Sequence, residues 1–99
     1  MSEVEKEVRV RVHKYKVLTK KALKKAKICV PKGSALYKIA LDFREMAENY
    51  VKDAEHFEQK GEIVLALASL SYAHAWLDAG ARLGLFDVKQ DSKLFTLYS

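Results

Sequence analysis

The stretch "EIVLALASLSYAHAWLDAGARL", residues 62–83, decides the fold. Ile63, Ala66, Leu70, Ala73, Leu77 and Ala81 recur at helical spacing and line one face. Leu65, Ala68, Tyr72, Ala75, Trp76, Ala79 and Leu83 line another, about 180° away on a helical wheel. Only Ser71, His74, Asp78 and Arg82 leave a polar strip between them. A helix apolar on two faces is expected to lie between two neighbours, and its many alanines allow close approach. Gly84 stops it, and Leu85 and Phe86 can fold back as the apolar contact that follows a glycine cap.

Upstream, "VPKGS" at 30–34 is a break. Pro31 cannot continue a helix, Gly33 frees the backbone, and Ser34 is a ready N-cap. From Leu36 through Ile39, Phe43, Ala47, Val51, Ala54 and Phe57 an apolar stripe predicts a second helix, over 35–60, that Gly61 ends. Before the break, Val4, Val8, Val12, Tyr15, Leu18, Ala22, Ala26 and Cys29 keep helical spacing, and "KKALKKAK" favours helix. "VRVRV" at 8–12 alternates as a strand would, but with no second strand to pair with it a helix over 3–29 is expected.

The fold class is therefore all-α, an up-down-up three-helix bundle. A tail, 85–99, packs on it through Leu94, Phe95, Leu97 and Tyr98. The 99 residues make one domain, which buries only about 60–65% of the surface of its unfolded chain. So small a core gains from further burial, which makes a homodimer an expected partner state.

Charge is unevenly spread. Between Val8 and Leu41 there are eleven basic residues and no acid, whereas residues 42–62 carry seven acids against three basic residues; the net charge is +5. The basic first helix, through Lys16, Lys20, Lys24 and Lys27, suits sequence-nonspecific phosphate contact. Equally, such lysines keep a protein soluble or pair with the acids of the second helix. No aromatic-interleaved loop accompanies them, and no named nucleic-acid motif is present.

The one cysteine, Cys29, precludes an internal disulfide and a zinc site of two cysteines and two histidines; a cytoplasmic location is the expectation. The N-terminus lacks a signal-peptide core, and no run of 18 apolar residues suggests a membrane span. Three Asn and Gln residues among abundant Lys and Glu match proteins that work hot.

His74, Asp78 and Arg82 stand four apart on one helix face. That spacing could hold a metal or set an imidazole for proton transfer, and it also makes a plain ladder of i,i+4 pairs. "DAEH", Asp53 to His56, is a carboxylate-x-x-histidine step, but a di-iron bundle needs a second one, and Ser71 stands where its acid belongs. His13 has no evident partner. Cys29 is the sole candidate thiol nucleophile and falls on the first helix's apolar stripe, which predicts a buried structural role. Glycine motifs for nucleotide phosphates are absent, so no cofactor is expected.

Residues 46–86 carry Met46-Ala47, Tyr50, Asp53-Ala54, Phe57, Gly61, Ala66, Tyr72-Ala73-His74, Trp76-Leu77-Asp78-Ala79-Gly80 and Arg82-Leu83-Gly84 in order. In these the chain resembles an uncharacterised archaeal family, domain of unknown function 357. It departs from that family at Ala75, where the family has glycine. The resemblance implies an intracellular three-helix bundle and implies no activity. The expected function is that of a non-catalytic interaction module with an unknown protein partner. Its candidate surface is the strip Ser71, His74, Asp78 and Arg82. Nucleic-acid binding by the first helix is the alternative, and metal-dependent hydrolysis at His74 and Asp78 a third.

Overall fold

The computed structural model describes residues 2–89, 91, 94 and 95. Three helices carry the fold: α1 (Glu3–Lys25), α2 (Ala35–Gln59) and α3 (Ile63–Arg82). Both α1 and α2 pack more extensively against α3 than against one another, so α3 is the central element of the expected bundle. The Cα envelope is elongated and flat, 51 × 26 × 16 Å.

Local chemistry sets the helix ends. Ser2 caps α1 by accepting from the Glu5 N–H at 3.1 Å, with Glu3 and Glu5 in the first turn and Lys24 and Lys25 in the last, each sign opposing the helix dipole. Ser34 caps α2 through the Tyr37 N–H at 3.3 Å. Gly61 and Gly84 both take positive φ, 78° and 76°. At each, the glycine amide and the next one donate to carbonyls of the last turn: Gly61 N to Glu58 O, Glu62 N to Phe57 O, Gly84 N to Ala81 O and Leu85 N to Gly80 O. This paired return is the Schellman arrangement, and it needs a residue that tolerates the left-handed region.

One boundary differs from expectation. The first helix ends at Lys25 rather than near residue 29, because Lys27–Ile28 forms a short strand, β1, antiparallel to Phe86–Asp87, β2. Lys27 opposes Asp87 and Ile28 opposes Phe86. Pro31 already biases the residue before it away from helix, and the partner strand after α3 supplies the hydrogen bonds the backbone then needs. Arg44 of α2 donates to the Ala26 carbonyl, left open at the end of α1. The same change moves Cys29 off the helix. It is exposed, its thiol donating to the Gly84 carbonyl at 3.2 Å, so the buried role expected of it is wrong.

The core divides in two. Val12, Ala54, Ala66 and Leu70 form one cluster near the α2–α3 turn. Ala22, Ala26, Ala40, Ala47 and Leu77 form the other, completed by Leu85, Phe86, Val88 and Phe95 from the segment after α3. The tail is thus docked where it is described; Leu97 and Tyr98 lie outside the described residues. Gly80 is buried because Phe86 lies on it, and a Cβ there would overlap the ring.

The two-faced reading of α3 holds for one face only. Ile63, Ala66, Leu70, Ala73 and Leu77 are buried, whereas Leu65, Ala68, Tyr72, Ala75 and Leu83 on the other face are exposed. Both neighbours are accommodated on one broad arc because the buried residues there are mostly small: Ala66, Ser69, Ala73 and Gly80. Trp76 and Tyr72 reach sideways instead, Trp76 edge-on to Phe43 at 4.9 Å and Tyr72 stacked on Tyr50 at 5.5 Å.

Candidate functional site

Along the junction of α1 and α3 runs a groove of about 390 Å³, lined by Tyr15, Leu18 and Thr19 from α1 and by Leu70, Ser71, His74, Ala75 and Asp78 from α3. The i,i+4 spacing of His74 and Asp78 brings both side chains to the α1 side of α3, each half-buried. Leu18 and Leu70 give the groove an apolar floor, and hydroxyl, imidazole and carboxylate groups edge it.

His74 is held from two sides. Its Nε2 lies 2.6 Å from the Leu94 carbonyl oxygen and its Nδ1 lies 3.2 Å from Thr19 Oγ1. A carbonyl only accepts, so Nε2 carries a proton and donates it. Nδ1 then takes the Thr19 hydroxyl as partner. Asp78 Oδ1 stands 3.7 Å from the same Nε2, beside the bond to Leu94 and longer than a hydrogen bond. Phe95, buried, places its ring 6.5 Å from the imidazole.

The tail is fastened a second time at Asp91. Lys25 Nζ meets its Oδ2 at 2.7 Å, while Oδ1 accepts from the Leu94 N–H at 3.2 Å and the main-chain carbonyl from Phe95 N–H at 3.1 Å. A short turn results, presenting the Leu94 carbonyl to His74.

Of the polar strip read from the sequence, Ser71, His74 and Asp78 line this groove; Arg82 is exposed one turn beyond. Ser71 turns its hydroxyl back to the Leu67 carbonyl at 3.1 Å. Thr19, fully buried, was not legible as a site residue. Its signal is positional: it lies seven residues after Val12 and seven before Ala26, on the buried stripe of α1 where a polar residue needs a partner.

The basic helix is partly spent. Lys16 pairs with Glu58 at 2.7 Å and Lys20 with Glu55 at 2.8 Å, tying α1 to the acidic α2. Lys24 and Lys27 are exposed, with Lys27 facing Asp87 across the two-stranded ladder. His13, Asp53 and His56 are exposed on their helices and do not enter the groove. Among the described residues, no three His, Cys, Asp or Glu side chains converge as a metal site.

Comparison with known proteins adds one finding. The model of the family described as Protein of unknown function (DUF357) matches residues 14–86, from the middle of α1 through the first residue of β2. Every groove-lining residue falls inside the match, and Leu94, whose carbonyl His74 holds, falls outside it. No curated protein and no solved structure matches the chain.

Proposed function

The chain belongs to the DUF357 family, and we propose that it is a non-catalytic interaction module whose α1–α3 groove receives an extended segment of a partner protein. One observation carries this reading: His74 already holds a main-chain carbonyl, that of Leu94, at 2.6 Å. A donor aimed at a peptide carbonyl above an apolar floor is the chemistry of segment recognition, a partner's carbonyl taking the place of Leu94's, with main-chain hydrogen bonds for affinity and side-chain pockets for choice. Leu18 and Leu70 supply the floor, and Ser71 and Asp78 the rim. Both imidazole nitrogens are engaged, by Leu94 and by Thr19, which supports a positioning role over proton transfer. A cytoplasmic protein partner fits a chain whose one thiol is exposed.

The test is a screen of the intact chain for turnover of ester, phosphoester and peptide substrates, with His74→Ala alongside. No turnover is expected. Turnover abolished in a His74→Ala protein that keeps its helical circular dichroism overturns the non-catalytic reading.

Nucleic-acid binding is the second reading, favoured by the exposed cations that α1 retains after its pairing with α2, among them Lys14, Lys21 and Lys24. It predicts RNA or DNA affinity that falls steeply with salt and that Lys21→Gln with Lys24→Gln abolishes.

A further inference from the structure

Among the described residues, no helix or strand covers the outward face of α3. Val64 is 67% exposed, Leu65 48%, Tyr72 61% and Leu83 66%, with Ala68 and Ala75 exposed between them. Monomeric proteins rarely leave so long an apolar row uncovered. Its spacing is ordered: Leu65, Ala68, Tyr72, Ala75 and Ala79 alternate steps of three and four, the a/d seam of a helix that pairs with another helix. Among the described residues, the buried ones of α3 lie on the opposite arc.

We propose that this seam pairs with the same seam of a second copy, α3 against α3, antiparallel about a two-fold axis. Three observations select a second copy. No Lys, Arg, Asp or Glu lies between Ile63 and Leu77, so two molecules of net charge +5 meet there without burying like charges. The seam complements itself in size: in the antiparallel register Tyr72 faces Ala75 of the second copy, a large side chain on a small one, and Ala68 faces Ala79, two small side chains that let the helices approach closely. The ends match in charge, since Glu62 at the start of α3 reaches the end where Arg82 of the second copy lies. The tyrosines need no rearrangement, because Tyr72 is already fixed by stacking on Tyr50.

The extent of the seam sets the strength. At 1.5 Å per residue α3 is about 30 Å long, and a strip one to two helix diameters wide covers roughly 300–600 Å² per copy. That is less than the ~800 Å² per partner of a standard interface, so a reversible dimer in the micromolar range is expected.

This proposal rests on the interaction-module reading and names one partner for it, on a face that adjoins the groove at Ala75. Sedimentation equilibrium of the full chain from about 1 to about 500 μM is expected to show a monomer–dimer equilibrium. Ala68→Glu or Leu83→Glu, both at exposed positions outside the groove lining, would raise the dissociation constant at least about tenfold, with circular dichroism unchanged. Spin labels on Leu65→Cys in a Cys29→Ser background would lie about 26 Å apart in the antiparallel dimer. Monomer at every concentration, an undisturbed dimer in both variants, or labels within about 10 Å as in a parallel pair would each overturn it. So would a monomer that floats with phospholipid vesicles, since α3 is also long and apolar enough by composition to suit a membrane. Neither glutamate variant removes a hydrogen-bonding group of the groove, so loss of the dimer and loss of groove binding are read separately.

Discussion

His74 and Leu94 stand twenty residues apart in the chain and are joined by a 2.6 Å hydrogen bond from the imidazole to a main-chain carbonyl. The bond fixes the tail against α3 and satisfies the Nε2–H of a half-buried ring whose Nδ1 already meets Thr19. His74→Ala should leave the three helices intact, cost about 1–2 kcal/mol, and speed hydrogen exchange at the Leu94 and Phe95 amides. Unchanged exchange there would show that Asp91 and Phe95 hold the tail without the histidine.

Gly80 is small because Phe86 occupies the space a Cβ would take. Gly80→Ala is therefore expected to destabilise the fold by about 1–3 kcal/mol despite the better helix propensity of alanine. Phe86→Leu should recover part of that loss. Urea unfolding of the two single variants and the double variant measures the coupling directly, and additive losses would contradict it.

Much of this architecture is legible in the residue order, and the exceptions share a cause. Ser34, Gly61 and Gly84 announce helix ends through local chemistry, and all three act as read. The end of α1 does not, because it is decided by Phe86–Asp87, some sixty residues away. Cys29 goes with it: the helical stripe continues in sequence four residues past Lys25, through the strand Lys27–Ile28. His74 and Asp78 are visible as an i,i+4 pair. Their partners are not: Thr19 looks like an ordinary helix residue, and the Leu94 carbonyl is backbone, which has no side-chain signature. The open face of α3 was read as packed because wheel geometry counts apolar residues and does not count the neighbours available to cover them.

Asp87 ends β2, and the Lys89 N–H donates to its Oδ1 at 3.1 Å. That bond first, and the charge of Lys89 second, hold its carboxyl below the ordinary 3.8. A lowered folded-state value means stability that is present above the unfolded value and lost as pH falls through the folded one. An NMR titration should place the Asp87 midpoint below 3.8, and Lys89→Ala should raise it. A midpoint at or above that value would contradict the assignment.

Lys16 and Lys20 serve α2 before any outside phosphate. Lys20→Gln, at an exposed pair, is expected to cost no more than about 1 kcal/mol. Its effect on RNA binding at low salt should be smaller than that of Lys24→Gln. Equal losses of RNA affinity would place the whole basic helix on the nucleic acid and favour the second reading.

The central claim is that the His74 groove receives a protein segment, and site-specific photo-cross-linking from position 71 inside cells tests it most directly. A photoreactive side chain replacing Ser71 sits on the groove, and one replacing Lys52, exposed on α2, serves as control. The expected result is a protein adduct of defined mass from position 71, lost when His74→Ala is added and absent from position 52. No adduct, the same adducts from both positions, or a nucleic-acid adduct alone would contradict it.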